Sequence, residues 1–238
     1  MSGDGAWSAQ VSTLLTSSFT PLSPFVQSTL PQGGTLFGVV LSSDKTNISA
    51  TTGDRIAHLL LLTLTNLLMD IRMKSTYHAL PLIALLPCPK FWNLKKSLYG
   101  VIENCLMHHC LDIIYKPLKE ASLKGAFMSD SLGHIRCYFS PLVAYIADMP
   151  EAALIARVGG RTSHLTLASH KTFGDHFQHP THLGSLTLAQ IQTISEDVDP
   201  WDLEAYSKET QKRYRLNSVH APFWQDWVLP NSSITKPS

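Results

Sequence analysis

Apolar residues gather in three short runs in the first half of the chain, at 35–41, 59–67 and 79–86. Turn chemistry bounds each of them: Gly33-Gly34 before the first, Thr52-Gly53-Asp54 before the second and Pro87 after the third. Runs of this length between such breaks predict buried strands, although periodicity alone leaves a buried helix open for the leucine-rich second run. From 93 to 124 the period changes, and Leu94, Leu98, Val101, Ile102, Cys105, Leu106, Cys110, Ile113 and Ile114 recur at three- and four-residue steps. That spacing predicts an amphipathic helix with this stripe inward, ended or kinked at Pro117 and left at Gly125. Ser131-Leu132-Gly133-His134 reads as a tight turn into 135–139 and 142–147, a strand or strand pair split at Pro141. Pro150 suits a first helical position, with Asp148 near the cap and a helix over 151–158.

The second half is less periodic. A Gly159-Gly160-Arg161 loop leads into a polar stretch, 162–186, that holds His164, His170, His176, His179 and His182. Two further helices are expected, the first opened by Thr187 with Gln190 in capping-box spacing and the second by Asp199 before Pro200. The chain closes on Phe223, Trp224 and Trp227 and a polar tail, and shows no internal repeat. The first 34 residues are rich in Ser, Thr, Pro and Gly, with Pro21, Pro24 and Pro31 opposing helix, so they read as a loop-rich lead-in.

Composition narrows the class. A hydrophobic fraction of 44% over 238 residues fills a real core and argues against wholesale disorder. Nineteen basic against 18 acidic residues give a net charge of +1, so any contact with nucleic acid relies on local patches such as Arg72, Lys74, Lys95 and Lys96. Cys88, Cys105, Cys110 and Cys137 form no CxxC pair, and with no secretory signal pattern the thiols are expected to be reduced. The apolar run at 56–69 contains His58, Thr63, Thr65 and Asn66 and falls short of the ~20 apolar residues of a membrane span, so no membrane partner is expected.

Candidate chemistry sits where apolar runs end. Residues 36–41 feed into Ser42-Ser43-Asp44-Lys45-Thr46, and 142–147 feed into Asp148-Met149-Pro150-Glu151. Two strands that each deliver an aspartate to the carboxyl end of one sheet can share divalent cations, as in two-metal sites acting on phosphodiesters. Taken singly, each aspartate is explained equally well as a turn former or helix cap. Cys105, His108 and His109 share a helical face and pose a second metal question, although both Cys105 and Cys110 also fit the apolar stripe.

Several segments in fixed order carry a resemblance. They are Gly34-Thr35-Leu36 through Ser42-Ser43-Asp44-Lys45-Thr46-Asn47-Ile48-Ser49, Asp70-Ile71-Arg72-Met73-Lys74, Leu85-Leu86-Pro87-Cys88-Pro89-Lys90 and Leu111-Asp112-Ile113 with Pro117-Leu118-Lys119. Met128-Ser129-Asp130, Tyr145-Ile146-Ala147-Asp148-Met149-Pro150-Glu151, and Leu216-Asn217 with Pro222-Phe223-Trp224 continue it. From about Gln27 onward the chain resembles the Plavaka-type DDE transposases of fungi, relatives of the CACTA and Kyakuja–Dileera–Zisupton elements.

The resemblance implies an α/β fold with a ribonuclease-H-like core: three antiparallel strands, a helix, then a strand parallel to the first, with extra helices toward the C-terminus. The three apolar runs, long helix and later strand follow that order. The core is expected over 35–160, partial and C-terminally incomplete, after the lead-in at 1–34 and before a His-rich, helical, insertion-like segment at 161–238. By resemblance Asp44 and Asp148 are the first and second metal-binding catalytic acids, Mg2+ or Mn2+ the cofactor, transposon-end DNA the partner and the nucleus the location.

The same comparison carries departures. The family's third acid lies beyond the region matched by Phe223-Trp224, near a Leu-His motif, and Glu196, Asp199, Asp202 and Asp226 do not stand in that context. The chain is therefore expected to be a truncated transposase, incomplete for strand transfer; the alternative is a non-enzymatic DNA- or protein-binding module, and a third possibility is a nuclease borrowing a local acid such as Glu196. Many members carry a cysteine pair soon after the second acid. Here Arg161-Thr162-Ser163-His164 has none nearby, so no zinc is expected. An incomplete core exposes apolar faces of 59–67 and 93–124, which predicts poor solubility. Size-exclusion chromatography of purified protein is expected to show self-association, and a monodisperse, highly soluble monomer overturns this expectation.

Overall fold

The computed structural model describes residues 34–48, 56–72, 74–130 and 132–227; nearly all of the expected lead-in, the Thr52-Gly53-Asp54 turn, Ser131 and the polar tail lie outside them. In chain order the elements are β1 (Gly34–Leu36), β2 (Val39–Asn47), β3 (Ile56–Leu64), α1 (Met69–Arg72), β4 (Leu82–Leu86), α2 (Tyr99–Lys124), β5 (Ala126–Ser129), β6 (Ile135–Phe139), β7 (Leu142–Ile146), α3 (Met149–Ile155), α4 (Gly184–Asp197) and α5 (Leu203–Tyr214). The strands form two mixed sheets, a four-stranded one ordered β4-β3-β2-β7 and a three-stranded one ordered β1-β6-β5. In the larger sheet β2–β3 and β3–β4 are antiparallel, and β7 lies parallel to β2. The fold is therefore mixed α/β, with five α-helices among the described residues.

The leucine-rich run is strand, because β3 is hydrogen-bonded on both edges, to β2 and to β4. Neighbouring strands on both sides take up backbone groups that a helix would have satisfied internally. The first predicted run divides. Phe37 and Gly38 carry the chain from the small sheet into the large one, and Ser140 and Pro141 do the same between β6 and β7. The two crossings are hydrogen-bonded to each other, Phe37 N to Phe139 O at 2.8 Å and Val39 N to Pro141 O at 2.9 Å. The two segments flanking Pro141 thus belong to different sheets. Beyond Leu41, strand β2 continues to Asn47, because β3 pairs with it as far as Asn47↔Ile56.

Helix α2 starts at Tyr99, later than expected. Asn93 takes a positive φ of 59°, and a short 3-10 turn at Lys96–Leu98 precedes the helix. Pro117 does not end it. The carbonyl that loses its partner to proline belongs to Ile113, a residue 60% exposed, so the break falls on the outer side of the helix. The buried face is also rotated from the predicted stripe: it carries Val101, Met107, His108, Leu111, Tyr115, Lys119 and Ser122. Periodicity marks apolar positions, but here Lys119, Ser122 and His108 enter the seam because each has a partner. Lys119 is gripped by the Asp112 and Asp226 carboxylates, and Ser122 Oγ donates to Lys119 O at 2.8 Å.

The aromatic close of the chain completes the core. Phe223, Trp224 and Trp227 pack with Leu41, Leu60, Leu111 and Tyr115 in one cluster. Trp224 Nε1 donates to Ile155 O at 2.8 Å, and Trp227 Nε1 donates to Ser140 O at 3.1 Å. Indole groups are buried at little cost when the N–H is satisfied in this way. Farther on, α4 starts at Gly184 rather than Thr187. Thr187 is fully buried and meets His182 Nε2 at 3.0 Å, so it serves packing rather than capping. Asp202, not Asp199, caps α5 by accepting from Ala205 N at 3.1 Å.

His108 reports on this packing. Its Nε2 donates to Leu154 O at 3.2 Å, and its Nδ1 accepts from Phe223 N at 3.2 Å. Nδ1 must stay unprotonated to accept, and burial, with Arg157 nearby, drives the imidazole pKa down to about 4. The unfolded chain binds this proton near the ordinary value of about 6.5, so the stabilisation is complete above that pH and lost as pH falls toward 4. Urea unfolding at successive pH values is expected to show a loss on the order of 3 kcal/mol across this window. His108→Gln should flatten the slope there, and an unchanged slope removes His108 as its source.

Candidate functional site

Strands β2 and β7 run parallel, paired Val40↔Ala144, Leu41↔Tyr145 and Ser42↔Ile146. Two residues beyond that last pair stand Asp44 on one chain and Asp148 on the other. Asp44 is still within β2, whereas Asp148 lies past the end of β7 at the start of α3, so both follow the carboxyl-terminal end of the parallel pairing. Their side chains have different partners. Asp44 is exposed, and its Oδ2 accepts from Thr46 Oγ1 at 2.7 Å. Asp148 caps α3, its Oδ1 accepting from Glu151 N at 2.9 Å, with Pro150 in the first turn.

Alternation along β2 sorts its side chains by face. Ser43 and Lys45 meet Glu151 of α3 and Glu103 of α2, so Asp44 and Thr46 lie on the other side. On the helical side Lys45, His58, Glu103, Asp148 and Glu151 line a recess of about 200 Å3. Its floor holds a buried polar knot: Glu151 Oε1 accepts from Ser43 Oγ and from His58 Nε2, the latter at 3.0 Å. Tyr145 OH donates to Ser43 Oγ at 2.8 Å, and burial raises the Tyr145 pKa well above its usual value, so the phenol stays a donor.

Sequence reasoning passed over Ser43, His58, Tyr145 and Glu151. The available signal was polar residues inside apolar strands, where burial requires partners.

Among the described residues no three His, Cys, Asp or Glu gather closely enough to hold a metal. Asp44, with the Thr46 hydroxyl, lies off the recess that Asp148 lines, and the two exposed carboxylates are oxygen donors of the type hard divalent cations take alongside water. Cys105, His108 and His109 do not converge: Cys105 Sγ lies 3.9 Å from Ser218 O, His108 is locked to backbone and His109 is exposed. In the His-rich segment His179 Nε2 contacts Thr172 O and Asp175 Oδ2, both at 3.1 Å, while His164 and His182 have pKa values lowered by burial.

The downstream acids are also engaged locally. Glu196 accepts from Gln192, Asp199 from Trp201 N, and Asp226 from Lys119. Of the scattered cations, Arg72 donates to Leu67 O and Lys95 to Glu204. No helix among the described residues is long and apolar enough to cross a membrane.

Fold and edge together define a mixed α/β protein that presents two acids at the carboxyl end of adjacent parallel chains. The model of the Plavaka transposase family matches residues 1–235, and the chain belongs to that family. The match begins well before Gln27, where the motif resemblance starts. Neither a curated protein nor a solved structure matches the chain.

Asp148 has a structural duty that must be separated from any chemistry. Replacing an N-cap aspartate by alanine costs about 1 kcal/mol, whereas asparagine caps nearly as well. Denaturant titration is expected to show that loss for Asp148→Ala and only a few tenths of a kcal/mol for Asp148→Asn. Equal destabilisation by both variants contradicts the capping geometry.

Proposed function

We propose that this chain is a transposase-derived, DNA-acting core of ribonuclease-H-like type, in which Asp44 and Asp148 are the first and second metal-binding acids. One observation carries the reading. Asp44 and Asp148 each follow the last β2–β7 parallel pair, Ser42↔Ile146, by two residues, in a chain that belongs to a transposase family. Supporting it is the strand order, three antiparallel strands followed by a long helix and a strand parallel to the first.

A Mg2+ or Mn2+ ion held by these acids would polarise a phosphodiester and stabilise the entering and leaving oxygens. The chain's own residues prepare for it. Thr46 holds the Asp44 carboxylate by one oxygen, and among the described residues nothing bonds the other. Asp148 is held at the helix start by one oxygen in the same manner. Of the acids downstream of Asp148, Glu196, Asp199, Asp202 and Asp226 are committed to local partners, so the property expected of this chain by itself is metal binding without strand transfer.

Mn2+ titration followed by electron paramagnetic resonance tests this. The wild-type protein should bind the ion, Asp44→Asn or Asp148→Asn should weaken binding by about tenfold or more, and the double variant should abolish it. Labelled duplex DNA is expected to remain uncut. Binding that survives in the double variant overturns the assignment, and cleavage that depends on both aspartates overturns the incompleteness.

A further inference from the structure

We propose that Glu151 is a positioning residue that locks the two acid-bearing segments in register, an inference that rests on the metal-binding reading of Asp44 and Asp148. Its carboxylate is the only point at which side chains from β2, β3 and α3 meet among the described hydrogen bonds of the recess. Ser43 of β2 and His58 of β3 both donate to the same oxygen, Oε1. Tyr145 of β7 joins through Ser43. Ser43 directly precedes Asp44, and His58 directly precedes Leu59, the cross-strand partner of Asp44. At the other end, the Glu151 backbone N–H donates to Asp148 Oδ1. One residue therefore holds Asp148 through its main chain and the Asp44 strand through its side chain.

Burial makes the arrangement stringent. The side chains of Glu151 and His58 are only 11% and 8% exposed. A carboxylate so placed must keep its donors, since an unpaired buried polar group is penalised by its full desolvation cost. Sliding α3 or shifting β2 along β7 would strand Glu151, Ser43 and Tyr145 together. Rigid support of this kind fixes the spacing of ligands that a cation needs, and losing an outer partner of a metal site typically weakens metal affinity 10- to 100-fold.

Because both side-chain bonds land on one oxygen, Glu151→Gln can keep them with its carbonyl, whereas Glu151→Ala removes both. Ser43→Ala removes one anchor and leaves His58 in place. The experiment measures Mn2+ affinity by electron paramagnetic resonance on the full chain, at a temperature where circular dichroism shows each variant folded. Glu151→Ala and Ser43→Ala are expected to bind Mn2+ about tenfold more weakly, and Glu151→Gln to remain close to wild type. If Glu151→Ala does not fold, Ser43→Ala decides.

A folded Ser43→Ala or Glu151→Ala protein that is less stable yet binds Mn2+ as wild type does overturns the positioning role and leaves the metal site standing. A Glu151→Gln loss as large as that of alanine also overturns it, because the carboxylate charge rather than the lock would then be at work. Absence of Mn2+ binding in the wild type, or binding that survives loss of both aspartates, removes the metal-site reading and this inference with it.

Discussion

Two chain segments travel side by side through this fold, and the rest of it depends on their staying in register. Residues 34–47 and 135–146 pair in parallel as β1 with β6 and again as β2 with β7, and both change sheets at the same level. Gly38 allows the change on one side. A Cβ there would come within 2.4 Å of Thr65 Oγ1 and 2.8 Å of Val143 Cγ2, so only glycine admits the close approach. Asn66 stitches the bend by accepting from Gly38 N at 3.2 Å and donating to Leu36 O at 2.9 Å. A slip of one residue between the paired segments would send every side chain of β2 to the wrong face.

From that register the two faces of the larger sheet take different tasks. Leu41 and Leu60 lie on the face toward α2, with Tyr145 beside them, and pack against Leu111, Tyr115 and the terminal aromatic cluster. Near the carboxyl end the same face turns polar and receives Ser43, Lys45, His58 and Glu151. The aromatic segment acts as a clasp, since Trp224 and Trp227 hold the end of α3 and the β6–β7 crossing from one short stretch of chain. Arg157, fully buried just after α3, extends the clasp by donating through its guanidinium to Val219 O and Tyr206 OH. Burial lowers its pKa to about 10, and it remains a cation at neutral pH.

Much of this was legible in the chain. The three apolar runs, the long helix and the aspartate-proline helix start were marked by length, period and turn residues, all local quantities. Misreadings came where a partner outweighed a local signal. Pro117 sits inside α2 because the break it makes falls at the exposed Ile113, on the outer side of the helix. Lys119 and His108 entered the buried seam because Asp112, Asp226, Leu154 and Phe223 were waiting for them. Thr187 fits a capping pattern, yet His182 and the core claimed its hydroxyl.

The amino-acid sequence by itself determined which stretches are apolar, where Asp44 and Asp148 stand relative to them, and the motif order that marks the family. Those properties follow from composition and spacing along one dimension. The tertiary structure alone decided that 135–139 and 142–146 belong to different sheets, that β2 and β7 pair in parallel up to Ser42↔Ile146, and that Ser43, His58, Tyr145 and Glu151 form one knot. Strand register and hydrogen-bond partners join residues as many as 115 positions apart, and no local pattern encodes which of them will meet.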